Sequence, residues 1–178
     1  MNIKFPEEVW LAGKGKSIDT YNWKKAGWCR IGINEAAFIV PGCNMAICLD
    51  YAIHDKYKKQ LNPRTLVLCK QAHKNYVVYP YCLYYETGGI DITQGYSTAT
   101  VAIELLSKLS VKIIHFVGFD SMDGGDTANS ILKIDGKGTN NDGYKSINGK
   151  ILEVLTLTGI TPVWEHKDEN SNIGDNVQ

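Results

Sequence analysis

Short apolar runs recur along the chain with few polar residues inside them. They are predicted to be strands, and they cover Val9–Gly13, Cys29–Asn34, Met45–Asp50, Arg64–Lys70, Lys112–Gly118 and Thr161–His166. Continuous apolar runs of this length are typical of strands buried on both faces of a parallel sheet. The tyrosine-rich stretch Tyr76–Glu86 is also β-like, either as an exposed aromatic patch that suits a subunit interface or as a sheet edge with its tyrosines packed flat.

Helical segments are predicted between these strands. The clearest is Tyr96–Leu109, in which Val101, Leu105 and Leu109 lie on one face. The other predicted helices are Ile18–Ala26, Tyr51–Leu61 and Ser146–Thr158. Strands that alternate with helices predict an α/β, Rossmann-like fold with a mostly parallel sheet and helices on both faces.

The length and the charge balance narrow the classes of protein. A chain of 178 residues suits one buried core. We expect residues 1–166 to form a single domain and the polar residues 167–178 to form a flexible tail. Lys plus Arg and Asp plus Glu both number 19, so the formal net charge is zero. This balance argues against a nucleic-acid partner, since such domains usually carry a basic excess.

The five cysteines favour a reducing compartment. Their number is odd and no pair has the spacing C-x-x-C, so we expect reduced, mostly buried thiols and no zinc site. No apolar stretch is long enough to span a membrane. The N-terminal segment MNIKFPEEVW lacks the apolar core of a signal peptide. These features together predict a cytoplasmic protein.

Ligands of parallel α/β sheets bind beyond the carboxyl ends of the strands. The polar residues at those ends in this chain are Lys14, Lys16, Ser17, Asn34, Glu35, Asp50, Asp120 and Ser121. Asp50 could equally cap the helix that follows it. Thr93, Gln94 and Gly95 stand at the N-terminus of a predicted helix, where backbone N–H groups and the helix dipole favour an anion. The topology therefore predicts one ligand-binding rim built from residues scattered in sequence.

The segment Gly13-Lys14-Gly15-Lys16-Ser17 follows the first predicted strand. One residue separates its glycines, whereas a Walker loop needs four, and Ile18 stands where a dinucleotide fingerprint has its third glycine. Two interpretations remain open, an ordinary tight turn or a phosphate-binding turn of another kind. In either case Ser17 is predicted to be the N-cap of the helix that follows.

Several stretches resemble one family of nucleotide-binding enzymes. AGKGKSID, IGINEA, ICLDY, TQGYSTATVAIELLSKLSVKIIHFVGFDS and ILEVLTLTGITPVW fall in the order and spacing of the small bacterial sialyltransferases. The related archaeal-type hydroxymethyldihydropterin pyrophosphokinases share the pattern. In those proteins one strand ends in G-N-G-P-S, a second ends in asparagine, a T-S-G-like turn opens a helix, and the next strand ends in G-x-D. The resemblance spans residues 9–164 in outline.

The resemblance implies a site for the cytidine nucleotide of a sugar donor. Carried over by position, the implied nucleotide-binding residues are Gly13, Gly15, Ser17, Asn34, Thr93, Gln94, Gly95, Gly118, Phe119 and Asp120. Lys14 replaces the family's asparagine, either as an extra cation for a phosphate-rich ligand or as a solvated side chain. The family's catalytic histidine is replaced by Gly143-Tyr144, and no histidine stands between His115 and His166.

Asp120, Tyr144 and His166 are the candidate catalytic residues. Asp120 directly follows a buried apolar strand at the binding edge, where it would orient a ribose or a metal. Tyr144 could hydrogen-bond in place of the missing histidine, although its ordinary pKa of about 10 makes it a poor base. His166 ends the last predicted strand and could act as a base or contact a phosphate.

Other titratable residues receive structural interpretations. Asp123 and Asp126 lie with Asp120 near a long polar, glycine-rich segment, where they could hold Mg²⁺ against phosphates or form an acidic turn. No metal ligands are therefore assigned. His115 lies inside an apolar strand and is expected to be structural, whereas His54 and His73 are expected to be solvated.

The function that the resemblance implies is transfer of a glycosyl group from a nucleotide-activated donor, as in the CMP-sugar-dependent sialyltransferases. Two alternatives stay open. One is an ATP- and Mg²⁺-dependent pyrophosphokinase-like enzyme. The other is a non-catalytic domain that binds or sequesters a nucleotide, which the missing histidine and the short chain favour. In each case the partner is a nucleotide or nucleotide-sugar, and the tyrosine-rich stretch suggests a homo-oligomer.

Overall fold

One parallel sheet organises the protein. The structure, a computed structural model, describes residues 5–57, 59–71, 80–85, 97–123 and 141–165. Within these ranges the strands are β1 (Glu8–Ala12), β2 (Arg30–Ile33), β3 (Met45–Ile47), β4 (Leu66–Lys70), β5 (Cys82–Tyr85), β6 (Ile113–Val117) and β7 (Thr161–Glu165). They form a seven-stranded sheet in the order β5-β4-β3-β2-β1-β6-β7. Every neighbouring pair is parallel, which confirms the predicted α/β Rossmann-like fold.

The described helices lie between the strands as the pattern predicts, but some bounds differ. They are α1 (Ser17–Thr20), α2 (Tyr51–Tyr57), α3 (Thr98–Lys108) and α4 (Asn141–Thr158), with 3-10 helices at Asn34–Phe38 and Asp120–Asp123. The prediction of a helix over Ile18–Ala26 is wrong, because the backbone becomes extended at Tyr21. There the Tyr21 hydroxyl accepts a hydrogen bond from Trp10 Nε1 at 3.0 Å, so a tertiary contact replaces further helical turns.

Both faces of the sheet are covered. On one face, Val9 and Leu11 of β1 belong to a core cluster with residues of α3 and α4, including Ile103 and Ile151. On the other face, Ala12 packs in a second cluster with residues of α1 and the segment after β2. This alternation explains why the four residues of β1 after Glu8 are all apolar.

The buried face of α3 lies slightly off the predicted one. Ile103 and Leu106 are fully buried, whereas Leu105 is only partly buried against the core. The helix begins with Ser97 as N-cap, whose hydroxyl accepts the N–H of Thr100 at 3.3 Å. Asp50 caps α2 in the same way by accepting the N–H of Ala52 at 3.0 Å, which confirms its capping interpretation.

The two described histidines both have structural partners. His115 lies between the carboxylates of Glu8 and Glu165, at 2.6 and 2.7 Å, and stacks on Trp10, as expected for a structural histidine. The prediction that His54 is solvated is wrong. Its side chain is buried, and its Nε2 lies 2.9 Å from the carbonyl oxygen of Cys48. His73 lies outside the described residues.

All five cysteines are free thiols, as predicted. Burial raises the pKa of the Cys29 and Cys43 thiols to about 11 and that of Cys48 to about 12. Across the described ranges, no helix is both long and apolar enough to cross a membrane.

The edge strand β5 belongs to the tyrosine-rich stretch and is partly exposed. Tyr81, which precedes the strand, and Leu83 within it expose more than half of their surface. Residues 76–79 and 86 of that stretch lie outside the described part. Association of copies through this surface stays a prediction.

Candidate functional site

The turn after β1 lies directly against the turn after β6. The N–H of Gly13 donates to the carbonyl of Val117 at 2.8 Å, and the N–H of Gly15 donates to the carbonyl of Gly118 at 2.8 Å. Because β1 and β6 are neighbours in the sheet, their carboxyl ends meet at one edge. We call this pair of turns, Gly13–Ser17 with Gly118–Asp120, the double turn.

The glycines of the double turn are required by close packing. A Cβ atom on Gly13 would lie 2.7 Å from the carbonyl oxygen of Gly118, which is closer than real side chains allow. A Cβ on Gly15 would overlap the carboxylate of Asp120. Gly118 itself has a φ of +75°, a left-handed conformation that favours glycine. The G-x-G spacing therefore lets two backbones approach each other.

Ser17 joins the two turns by both of its polar groups. Its backbone N–H donates to the Asp120 carboxylate, at 3.2 and 3.3 Å from the two oxygens. Its hydroxyl oxygen accepts the N–H of Gly118 at 2.9 Å. The N-cap prediction for Ser17 is wrong, because Lys16 occupies that position and makes no side-chain cap. Ser17 is instead the first helical residue, and its hydroxyl accepts the N–H of Gly118, which follows the neighbouring strand β6.

These contacts bear on the two interpretations of the glycine turn. The N–H groups of Gly13, Gly15 and Ser17 all donate to acceptors inside the protein. A phosphate cradle instead presents such groups to its ligand. The geometry therefore favours a tight structural turn, with any ligand contact made by side chains beside it.

Asn34 lies at the end of β2, next to the double turn in the sheet. Its backbone has a φ of 51°, in the left-handed region that asparagine tolerates better than most residues. Its side-chain Oδ1 lies 3.5 Å from the hydroxyl of Thr98 in the first turn of α3. The amide of Asn34 thus lies beside a helix N-terminus, as the topology predicts.

Lys14 and Glu35 form an ion pair at the same edge. Lys14 Nζ lies 3.8 Å from Glu35 Oε1, and the side chains are 32% and 6% exposed. The 3-10 helix that carries Glu35 folds tightly onto β2, since a Cβ on Gly32 would overlap the backbone of Ala37. The backbone that carries Glu35 is therefore packed closely against β2, and the Glu35 side chain is buried while that of Lys14 reaches solvent.

The residues after Gly118 are anchored to the rest of the fold. The ring of Phe119 packs edge-on against Phe116 with centroids 5.0 Å apart. Asn148 of α4 donates from its Nδ2 to the carbonyl of Ser121 at 2.6 Å and accepts from the Ser121 hydroxyl at 3.2 Å. Asp120 therefore lies between two fixed neighbours.

The fold is that of known sialyltransferases. The sialyltransferase CST-II, in complex with a trisaccharide acceptor and CMP, matches with a TM-score of 0.54 at 15% identity, over 88% of this chain and 80% of that chain. The monofunctional alpha-2,3-sialyltransferase Cst-I from Campylobacter jejuni matches with a TM-score of 0.58 at 12% identity, over 91% and 76%. CstII from Campylobacter jejuni, in complex with cytidine-5'-monophosphate, matches with a TM-score of 0.53 at 17% identity, over 89% of this chain and 79% of that chain.

At these identities the likeness establishes a sialyltransferase-like fold. No protein-family model matches the chain, and no curated protein matches it either. The pyrophosphokinase part of the resemblance finds no counterpart among these structures. Roles for individual side chains must therefore come from the geometry.

The structure brings many of the expected site residues together. Gly13, Gly15, Ser17, Gly118 and Asp120 share the double turn. Lys14 and Phe119 also belong to the double turn, and Asn34 lies at the end of the neighbouring strand β2. Thr93, Gln94, Gly95 and His166 lie outside the described residues.

The remaining candidates are placed only in part. Tyr144 lies in the first turn of α4, which begins at Asn141 rather than at the predicted Ser146, and its side chain is outside the description. Asp123 ends a 3-10 helix after Asp120, and Asp126 is outside the described residues. Among the described side chains, no three metal-ligating residues cluster. A Mg²⁺ site on these carboxylates stays a prediction, since Asp126 and the side chain of Asp123 lie outside the described part.

Sequence reasoning missed the contacts of Glu35 and Asn148. Glu35 was recognisable as a polar residue at the end of a strand, but no pattern indicates that it is buried and paired with Lys14. Asn148 lies in the middle of a helix, and its partner Ser121 is 27 residues away. A signal for such a long-range contact is absent from one sequence.

Proposed function

We propose that this protein binds a nucleotide or nucleotide-sugar at the carboxyl edge of the sheet and transfers a glycosyl group from it. The sialyltransferase-like fold supports a cytidine nucleotide as the activating group. The observation that carries the proposal is the position of Asn34. Its side-chain oxygen lies 3.5 Å from the hydroxyl of Thr98 at the start of α3, and its strand β2 is the neighbour of β1, whose carboxyl end carries the first half of the double turn. Ligands of open α/β sheets bind beyond the carboxyl ends of the strands.

The groups around this position suit a nucleotide. An amide both donates and accepts hydrogen bonds, which fits a base edge or a ribose. The N-terminus of α3, an eleven-residue helix, favours a negative charge nearby. The proposed arrangement places the nucleoside beside Asn34 and the phosphate toward the helix.

In the proposed reaction, the bond between the sugar's anomeric carbon and the phosphate oxygen breaks. The acceptor hydroxyl oxygen bonds to that carbon, its proton passes to a base, and the nucleotide leaves with the electron pair as a phosphate anion. Electrostatic stabilisation of that anion can supply much of the rate enhancement. His166 is the proposed base, since its ordinary pKa of about 6.5 suits proton transfer at neutral pH.

Asp120 and Tyr144 have supporting roles in this proposal. One carboxylate can accept several hydrogen bonds, so Asp120 can hold Ser17 and still accept a ribose hydroxyl. Tyr144 would hydrogen-bond to the sugar or the acceptor from the first turn of α4.

A thermal-shift experiment tests the proposal. Purified protein would be heated with CMP, CDP, CTP, UDP, ATP and CMP-sugars, each with and without Mg²⁺, because a ligand that binds the native state raises its melting temperature. We expect cytidine nucleotides to stabilise it without metal. Asn34→Gly should remove this effect without straining the left-handed backbone. Asn62→Ala is the control, because Asn62 precedes β4 at the amino ends of the strands, away from the proposed site.

Other outcomes favour the alternative functions. Stabilisation by ATP only with Mg²⁺ would support the pyrophosphokinase-like enzyme. Tight CMP binding without turnover of any CMP-sugar would support a nucleotide-binding domain without catalysis. No shift with any nucleotide would contradict the proposal.

A further inference from the structure

We propose that the ion pair with Glu35 holds Lys14 back from the ligand and thereby lowers the affinity of the site for the ligand's phosphate. This inference rests on the proposed function, since it concerns the same edge of the sheet. Lys14 would be the side chain that contacts the phosphate, and Glu35 the residue that acts through it. A transferase must release its nucleotide product, and a restrained lysine makes that release faster.

The position of Lys14 supports contact with a ligand. It lies between the two glycines that follow β1, an interior strand of the sheet, at the carboxyl end of that strand. The backbone N–H groups of Gly13 and Gly15 already donate inside the protein, and the Lys14 ammonium between them offers an anion a positive charge. Its side chain is 32% exposed, so the ammonium can reach a bound molecule.

The geometry of the pair leaves Lys14 available. At 3.8 Å, the separation of Nζ and Oε1 is longer than a charge-assisted hydrogen bond of about 2.8 Å. The attraction is therefore electrostatic, and the ammonium keeps its capacity to donate hydrogen bonds. A phosphate oxygen can bind Lys14 while the Glu35 carboxylate stays in place.

Glu35 acts by its fixed charge. Its side chain is only 6% exposed, and its carboxylate lies close enough to Cys48 to help raise the pKa of that thiol. A buried carboxylate is poorly screened by salt, so it keeps attracting the Lys14 ammonium and competes with an anion for that group. The Asp120 carboxylate, bonded to Ser17, adds a second negative charge at this edge.

The test compares ligands that differ in charge. Binding of CMP, uncharged cytidine and inorganic phosphate would be measured by calorimetry for the wild type, Glu35→Gln, Lys14→Gln and the double variant. We expect Glu35→Gln to tighten CMP binding about three- to tenfold, from the loss of one nearby negative charge. Cytidine binding should not change. Lys14→Gln should weaken CMP binding. The double variant should bind CMP no more tightly than Lys14→Gln alone.

A matched control is available on α3. Glu104 has a largely buried side chain and pairs with Lys108 at 2.6 Å, near the helix end that is remote from the site. Glu104→Gln should leave CMP affinity unchanged. If Glu35→Gln does not fold, Glu35→Asp withdraws the carboxylate by one methylene group and should give a smaller tightening.

The outcomes separate this inference from the proposed function. If CMP binds but Glu35→Gln leaves its affinity unchanged or weakens it, the inference is overturned and the proposed function stands. A tightening of cytidine binding to the same degree would also overturn it. If cytidine compounds do not bind, inorganic phosphate decides: phosphate binding that needs Lys14 and tightens in Glu35→Gln supports the inference alone, and no phosphate binding refutes it.

Discussion

The carboxylate of Asp120 accepts the backbone N–H of Ser17 at 3.2 Å, although 103 residues separate the two in the sequence. This bond joins the first turn of the fold to the turn that follows β6. Asp120 therefore has a structural role before any ligand binds. Loss of activity in an Asp120 variant would report on the turn as well as on chemistry, so both must be measured.

We expect Gly15→Ala to destabilise the protein. The added methyl group would overlap the Asp120 carboxylate and force the two turns apart. The free energy of unfolding should fall by about 1–3 kcal/mol, the usual effect of overpacking. Urea denaturation followed by circular dichroism measures this change.

Gly149→Ala is the control for that experiment. Gly149 lies within α4, and no atom lies within 4 Å of an added Cβ. Alanine should raise the stability by about 0.5–1 kcal/mol because it restricts the unfolded chain and favours the helix. Equal effects of the two substitutions would contradict the packing of the double turn.

Ser17→Ala should remove the hydroxyl that accepts the N–H of Gly118. Ser17 is buried, so that N–H would lose its partner away from water. We expect a loss of about 1–3 kcal/mol in the free energy of unfolding. Ser107→Ala, near the end of α3, should change it by less than about 0.5 kcal/mol. A Ser17→Ala variant as stable as the wild type would mean that the bond contributes nothing.

Asn34→Ala and Asn34→Gly should differ in stability although both remove the amide. At a φ of 51°, an alanine Cβ is strained whereas glycine is not. The alanine variant should be less stable than the glycine variant by about 1 kcal/mol. Chemical denaturation of both proteins measures the difference, and identical midpoints would show that the backbone relaxes.

Alkaline pH should destabilise the protein through its buried thiols. Burial raises the pKa of Cys29 and Cys43 from 9.0 to about 11. The folded protein therefore keeps protons that the unfolded chain loses above about pH 9. Their stabilisation is complete below pH 9 and declines as the pH rises toward 11, at up to about 1.4 kcal/mol per pH unit for each thiol.

Unfolding measured between pH 8 and 11 in wild type and Cys29→Ala tests this pH dependence. The variant should be less stable at pH 8 because of the cavity, but its stability should decline less steeply. If the free energy of unfolding declines with pH at the same slope in both proteins, Cys29 does not contribute to the pH dependence.

The strands were predictable because burial on both faces leaves an unbroken apolar run. Arg30–Ile33 and Ile113–Val117 fall inside the predicted runs, with bounds within one or two residues. The capping role of Asp50 was also readable, because the partner N–H of Ala52 is two residues away. Local patterns of this kind depend on chain neighbours, which one sequence displays directly.

The features that were mispredicted depend on distant partners. His54 stands among polar residues in the sequence, yet packing of α2 on the sheet buries it against Cys48. Ser17 has the chemistry of an N-cap, but the N–H of Gly118 takes its hydroxyl. The glycines suggested a phosphate because close backbone approach to a ligand and to a second turn require the same residue type.

The hydrogen bonds of the double turn also bear on the thermodynamics of binding. Turns that close around a ligand lose conformational freedom when it binds, and that loss opposes association. Here the backbone of Gly13, Gly15 and Ser17 is already held by Val117, Gly118 and Asp120. Amide protons at these positions should exchange slowly with solvent even in the ligand-free protein. A molecule that binds at this edge meets a surface ordered in advance, so little entropy is lost there on complex formation.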